Sequence, residues 1–220
     1  MRSGGARGAP ALVGALLALL VVNIAGGRTA GVPAVDTGNP AELIDSVAHT
    51  LLTDIDVNRD QYRTGSVKLD KLVRQVLLPH FDSELAARLV LARHWGDASI
   101  EQRRRFIDAF YRSVLHNYGA ELVDFNLDRL QVLPYRGDPE ATYSTVHTLV
   151  HRSNGELVHV DYSLHRTGHD WKVYDVTIAG ISYLLSFRDD FGEEIEQKGL
   201  NDLISRLESG YGRVTAAKKS

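Results

Sequence analysis

The chain has 220 residues, no cysteine and a formal net charge of −3. The lack of thiols excludes disulfides, zinc sites with thiolate ligands, cysteine nucleophiles and a lipid anchor on a cysteine. Residues 31–220 hold 22 Lys and Arg against 28 Asp and Glu, a net charge of −6. This acidic balance argues against a nucleic-acid partner, because such a partner favours a basic surface.

The first 30 residues have the three-part layout of a secretory signal peptide. Arg2 and Arg7 come first, an apolar run over residues 11–25 follows, and small residues come next. The run is shorter than the about 20 apolar residues that a transmembrane helix needs. We therefore expect residues 1–30 to be a signal peptide cleaved near Gly27 or Ala30, with an uncleaved N-terminal anchor as the alternative.

Helical spacing of apolar residues dominates from residue 39 to about residue 124, after a Gly/Pro/Ala linker over residues 31–38. Four helices are predicted, and the fourth has the clearest pattern. Ser99 and Gln102 form a capping box at its start. A long apolar stripe follows along one side of this helix: Phe106, Phe110, Val114, Tyr118 and Leu122.

The apolar spacing changes to two near Leu127, which is typical of strands. Hairpin turns are predicted at residues 153–155 and 167–169. The predicted strands span four segments: 127–133, 141–151, 157–165 and 171–178.

Helical spacing returns after Gly180 in two segments, and Gly199 ends the first of them. Residues 210–220 are polar, and we expect them to form a flexible C-terminal tail. The order of helices, strands and helices predicts one α+β domain over residues 39–209. Its antiparallel sheet of about four strands would carry helices packed on one face.

Turns of three residues would bring the apolar residues of neighbouring strands onto one face of the sheet. Val146 would then lie opposite Tyr162, and Leu164 opposite Lys172. This face would contain no carboxylate and no histidine. Its members are Val146, Thr148, Val150, Val158, Val160, Tyr162, Leu164, Tyr174, Val176 and Ile178.

An apolar face of this kind is usually a filled core. It can also line an apolar cavity, in which Thr148, Tyr162 and Tyr174 would supply the few polar groups. The pattern alone leaves both interpretations open. With a filled core, the domain would be a binding adaptor without a ligand.

The opposite face would carry His147, Asp161 and Asp175 in one row. Such a row can form a metal site or an acid/base group, although solvated rows are far more common. The common catalytic and nucleotide-binding motifs are missing from the sequence. We therefore expect no enzyme, no metal and no cofactor, with a small hydratase or isomerase using these residues as the alternative.

Several tracts follow one family pattern in the same order. In the C-terminal half they span residues 171–176, 179–182, 187–191 and 199–204. Upstream they include residues 79–82, Trp95, Glu101, Gln102, Phe106, Phe110 and Tyr118. In combination these tracts resemble the MlaC family, also called the toluene-tolerance auxiliary family, over roughly residues 40–209.

This resemblance implies a periplasmic carrier with an NTF2-like fold, a curved sheet and helices enclosing an apolar cavity for phospholipid tails. It implies transport between an outer-membrane lipoprotein complex and an inner-membrane ABC transporter complex with an MCE-domain subunit. It also implies no catalytic residue, metal or cofactor. A related group, encoded with hopanoid biosynthesis, shares the pattern, so a hopanoid or another apolar lipid is the alternative ligand.

The stripe on the fourth helix, the apolar sheet face and the first turn after Gly180 together predict a lipid-binding set. Its members are Phe106, Phe110, Val114, Tyr118, Val146, Thr148, Val150, Val158, Val160, Tyr162, Tyr174, Val176, Ile178, Ile181, Leu184 and Leu185.

Overall fold

The computed structural model describes residues 37–210, apart from residues 65, 126–128, 139 and 153. The predicted signal peptide, most of the linker and residues 211–220 of the tail therefore lie outside the described residues. Among the residues that are described, no helix is both long enough and apolar enough to span a membrane.

The helices begin at the capping residues that the sequence suggests. Asn39 Oδ1 accepts hydrogen bonds from the amides of Ala41 and Glu42, and the Ser99–Gln102 capping box is confirmed, with bonds of 2.8 and 3.1 Å. Within the described residues the helices are α1 (Pro40–Thr64), α2 (Ser66–Val76), α3 (Ser83–Leu91), α4 (His94–Asp97), α5 (Ile100–Val123), α6 (Tyr183–Lys198) and α7 (Leu200–Glu208), with a 3₁₀ turn at Leu78–His80.

The sheet is antiparallel, and its strands are neighbours in chain order. A two-residue strand after the turn at Ala179 and Gly180 adds a fifth strand to the four that were predicted. The α+β architecture is confirmed. The strands are β1 (Leu130–Val132), β2 (Tyr143–His151), β3 (Leu157–Thr167), β4 (Asp170–Ile178) and β5 (Ile181–Ser182).

The hairpin of β2 and β3 has the predicted register. Val146 lies opposite Tyr162 and Val150 lies opposite Val158. Residues on the inner face of these strands are buried, whereas most of those on the outer face are exposed or half-buried. This alternation shows that the helices cover one face of the sheet.

The predicted register of β3 and β4 is wrong. Their turn has two residues, so Leu164 lies opposite Val173 and not opposite Lys172. Beyond a β-bulge that adds Tyr174 to β4, Tyr162 lies opposite Val176. The shorter turn and the bulge each shift the pairing by one residue in the same direction. Because side chains alternate between faces, the two shifts together return Val176 and Ile178 to the inner face, where they are buried as predicted.

The same shift removes the predicted row of like charges on the outer face. Asp161 lies opposite Thr177, and Asp175 lies opposite Ser163. Near the turn, Trp171 and Val173 occupy the buried positions that Lys172 and Tyr174 were expected to take. The two-residue turn and the bulge together therefore place Asp161 and Asp175 two positions out of the predicted pairing.

Buried side chains form two separate apolar clusters. The sheet cluster joins the inner sheet face to α1, α2 and the end of α5, and the helix cluster joins α3, α6 and α7 to the first half of α5. Large members of the sheet cluster are Leu43, Ile44, Ile55, Val146, Val160, Tyr162 and Trp171. Large members of the helix cluster are Leu91, Phe106, Phe187, Phe191, Ile195 and Leu203.

Candidate functional site

A cavity of about 140 Å³ lies between the two clusters. Its lining is almost entirely apolar and comes from α2, the segment after α2, α3, α5, β4 and the first turn of α6. A concave apolar site with a few polar groups is the usual form of a binding site for an apolar ligand.

The cavity reaches the edge of β4 that does not pair with β3. On this edge, the segment around Phe81 and strand β5 contact different parts of β4 and leave the residues between them unpaired with either. Phe81 forms an isolated parallel bridge with Val173, and the amide of Asp82 donates to the carbonyl of Val173 at 2.8 Å. β5 pairs with β4 only at Thr177 and Ile178. Residues 174–176 thus face the cavity on this edge, between the start of α3 and the start of α6.

One wall of the cavity is the middle of α5. Ile107, Phe110, Tyr111, Val114 and Leu115 line it, at the spacings of three and four that place residues on one side of a helix. All five are only half-buried, although each has a large apolar surface. An apolar ligand in the cavity would bury more of that surface, at about 25 cal/mol per Å².

The opposite wall begins at the first turns of α6. Leu184 and Phe187 line the cavity, and Phe187 packs edge-on against Phe110 with ring centroids 5.0 Å apart. Phe191 stacks behind Phe187 at 5.8 Å. This aromatic packing joins α5 to α6 on the side of the helix cluster.

The lining has few polar groups, and most of them gather at the edge of β4. Ser83, Tyr174, Asp175 and Tyr183 come from the start of α3, from the bulge and from the start of α6. Tyr111 is the polar group on the α5 wall, and burial raises the pKa of its phenol. The cavity therefore has an apolar interior and a polar end.

Asp175 holds the start of α6 to β4. Its Oδ1 accepts hydrogen bonds from the amides of Val176 at 2.7 Å and Leu184 at 3.0 Å. Its Oδ2 accepts a bond of 2.6 Å from the hydroxyl of Ser182, which in turn accepts from the amide of Leu185. Burial raises the pKa of Asp175 despite these bonds. Asp175 was predicted on the outer face of the sheet, and its position beside the cavity was not predicted from the sequence.

Five residues of the predicted lipid-binding set line the cavity: Phe110, Val114, Tyr174, Val176 and Leu184. Ile181 and Leu185 are instead exposed, at 43% and 44%. The other nine are buried away from it: Phe106, Tyr118, Val146, Thr148, Val150, Val158, Val160, Tyr162 and Ile178. Most of the apolar sheet face is thus filled core, where even the Thr148 hydroxyl donates to the carbonyl of Val160.

Several residues that line the cavity were not predicted from the sequence. Leu77, Leu78 and Phe81 lie in the irregular segment after α2, where periodicity gives no signal. Ile107 and Tyr111 could have been found, because they lie beside Phe110 and Val114 on the same side of α5.

The outer sheet face retains only part of its predicted row. His147 Nδ1 and Asp161 Oδ1 are 2.7 Å apart, and both side chains are in contact with solvent. Asp175 is not part of this pair. Across the described residues, no three histidine or carboxylate side chains are grouped in a way that could hold a metal ion.

Comparisons with known proteins agree with this architecture. A family model described as MlaC protein matches residues 45–209. The chain is 28% identical over 182 residues to the toluene tolerance protein ttg2D of Pseudomonas putida, covering 82% of this chain and 84% of that protein. It is 25% identical over 173 residues to the intermembrane phospholipid transport system binding protein MlaC of Haemophilus influenzae, covering 77% and 81%.

A solved structure is also similar. It is a phospholipid-binding protein from Ralstonia solanacearum in complex with a phospholipid, with a TM-score of 0.68 and 25% identity. The match covers 74% of this chain and 92% of that one. Because the family model matches well over half of the sequence, this chain belongs to the MlaC family.

Proposed function

We propose that this protein is a periplasmic carrier that binds the tails of a phospholipid in the cavity between the sheet cluster and the helix cluster. The observation that carries the proposal is the half-buried apolar wall of α5 facing that cavity. The similarity to a structure in complex with a phospholipid supports it.

The physical need for such a carrier is the cost of exposing acyl tails. Each buried CH₂ group is worth about 0.8 kcal/mol, so a two-tailed lipid leaves a membrane for water only rarely. A protein that covers the tails lowers this barrier without forming or breaking a bond. The carrier therefore needs a cavity and a way to release its lipid, and no catalytic group.

We place the carrier between two membrane complexes, an outer-membrane lipoprotein complex and an inner-membrane ABC transporter complex with an MCE-domain subunit. The name of the H. influenzae relative, an intermembrane phospholipid transport system binding protein, supports this placement. The signal-peptide pattern in residues 1–30 supports a periplasmic location.

The lipid-loaded cavity must be larger than the one described. A cavity of about 150 Å³ accommodates one benzene molecule, and the present volume is about 140 Å³. Two acyl tails need several times that space. Each cluster has its own buried residues and α5 contributes to both, so we propose that they part along the cavity about this helix while each keeps its own core.

Purification of the full chain from the periplasm of its host, followed by native mass spectrometry and lipid extraction, tests the function. We expect a population whose added mass equals that of a two-tailed phospholipid. An added mass matching a hopanoid would replace the phospholipid with that ligand. Protein that carries no lipid, and that takes up none from phospholipid vesicles, would refute the carrier function.

A further inference from the structure

The polar end of the cavity contains one ionisable carboxyl group. Of the described residues that line the cavity, Asp175 is the one with a charged side chain, and no Lys or Arg faces it there. Around it stand Ser83, Tyr174 and Tyr183, which are hydroxyl-bearing residues. A lipid that places its tails in the apolar interior would bring its headgroup to this end.

Asp175 holds the start of α6 to β4, but the capping of this helix does not by itself explain a carboxylate at this position. Burial raises its pKa, and three hydrogen bonds do not fully offset that effect. Ser182 alone can cap α6, because its hydroxyl already accepts from the amide of Leu185. A helix start at this place therefore does not require a buried carboxylate.

We infer that Asp175 is a specificity-determining residue, which makes the cavity favour lipids with zwitterionic headgroups over lipids with a net negative headgroup. The inference rests on the proposed carrier function. Its physical basis is Coulomb repulsion between the carboxylate and an anionic headgroup, which is strong near an apolar cavity because few solvent dipoles screen it. The ammonium of a zwitterionic headgroup offsets the repulsion of its own phosphate.

A competition between two lipids tests the inference. The full mature chain is equilibrated with vesicles of equal parts phosphatidylcholine and phosphatidylglycerol, and the bound lipids are counted by native mass spectrometry. We expect the wild type to favour phosphatidylcholine by about five- to tenfold, a modest electrostatic preference. Asp175→Asn should bind both lipids equally, while Asp175→Glu, which restores the charge, should keep the preference.

Two further variants separate charge from structure. Ser182→Ala removes a cap and a hydrogen bond to Asp175 but leaves the charge, so it should lower the melting temperature and keep the lipid ratio. Asp161→Asn removes a carboxylate on the outer sheet face and should leave the ratio unchanged. Melting curves recorded for every variant identify those that fail to fold.

The outcomes distinguish this inference from the proposed function. If the wild type takes up both lipids without preference, or if a folded Asp175→Asn variant keeps the wild-type ratio, Asp175 does not select the headgroup and the carrier function stands. If the wild type takes up neither lipid, the carrier function itself fails.

Discussion

The hydroxyl of Ser182 donates a 2.6 Å hydrogen bond to Oδ2 of Asp175 and thereby joins the bulge of β4 to the first turn of α6. The two residues lie seven positions apart, on either side of the turn at Ala179 and Gly180. Together with the bond from the amide of Leu184 to Oδ1 of Asp175, it holds the start of α6 against β4. Leu184 and Phe187, in the first turns of this helix, line the cavity.

We expect Ser182→Ala to lower the free energy of unfolding by about 1–2 kcal/mol, because α6 loses its cap and Asp175 loses a donor. Urea denaturation measures the change. Ser186→Ala is the matched control, since the Ser186 hydroxyl donates only to the carbonyl of Ser182 inside the helix. The control should change stability by less than about 0.5 kcal/mol. Equal effects of the two substitutions would show that the cap is unimportant.

Asp175 should also give stability a specific pH dependence. Its pKa in the folded protein is raised above the ordinary value of 3.8, so the folded state binds more protons than the unfolded state between those two values. The free energy of unfolding therefore falls as the pH rises through this window. Two of the phenols that line the cavity, those of Tyr111 and Tyr174, have raised pKa values and stay neutral in this window.

Asp175→Asn should remove the contribution of this carboxyl group to the pH dependence of stability. The free energy of unfolding of the variant should therefore fall less than that of the wild type as the pH rises from 3.8. Urea titrations of both proteins across the window give the difference directly. Parallel stability curves would contradict the prediction, because they would show that Asp175 binds protons equally in both states.

Added bulk should distinguish the cavity from the filled core. Val114→Trp places a ring in the cavity, so the fold should remain and lipid uptake should be lost. Val160→Trp places the same ring in the sheet cluster, where Val160 is completely buried, and should cost about 1–3 kcal/mol or more. Melting curves and native mass spectra of both variants provide the test. A Val114→Trp protein that unfolds as readily as Val160→Trp would mean that no usable space exists.

The turn before α6 should require glycine at position 180. Gly180 has a φ of 81°, and a Cβ there would meet no atom within 4 Å, so strain and not a clash opposes a side chain. Gly180→Val should therefore cost about 1–2 kcal/mol. Gly192→Ala is the control, and its expected change in stability has the opposite sign. This substitution also adds a Cβ in open space, but at a helical position inside α6, where alanine is favoured over glycine, so it should stabilise the protein by about 0.5–1 kcal/mol. Thermal denaturation compares the two, and an unchanged melting temperature for Gly180→Val would show that the backbone tolerates a side chain.

Much of the fold follows from local patterns. The stripe of α5 and its Ser99–Gln102 box predict that helix, because periodicity and capping are properties of neighbouring residues. The register of β2 and β3 follows from alternation together with the three-residue turn, since a slip of one residue would turn one strand's apolar side chains to the outer face. The tracts between residues 79 and 204, taken in combination, predicted the family to which the chain belongs.

The location of the cavity depends on how distant elements pack. Nothing in the alternation of β4 shows that Tyr174 is an extra residue, because a bulge is stabilised by the partners of the strand and not by its own pattern. That bulge brings Asp175 to the start of α6 and leaves residues 174–176 facing a gap. Likewise, Val160 and Val176 both occupy alternating apolar positions of a strand, so the sequence does not distinguish them. Only the arrangement of α3, α5 and α6 decides that Val160 is enclosed while Val176 borders open space.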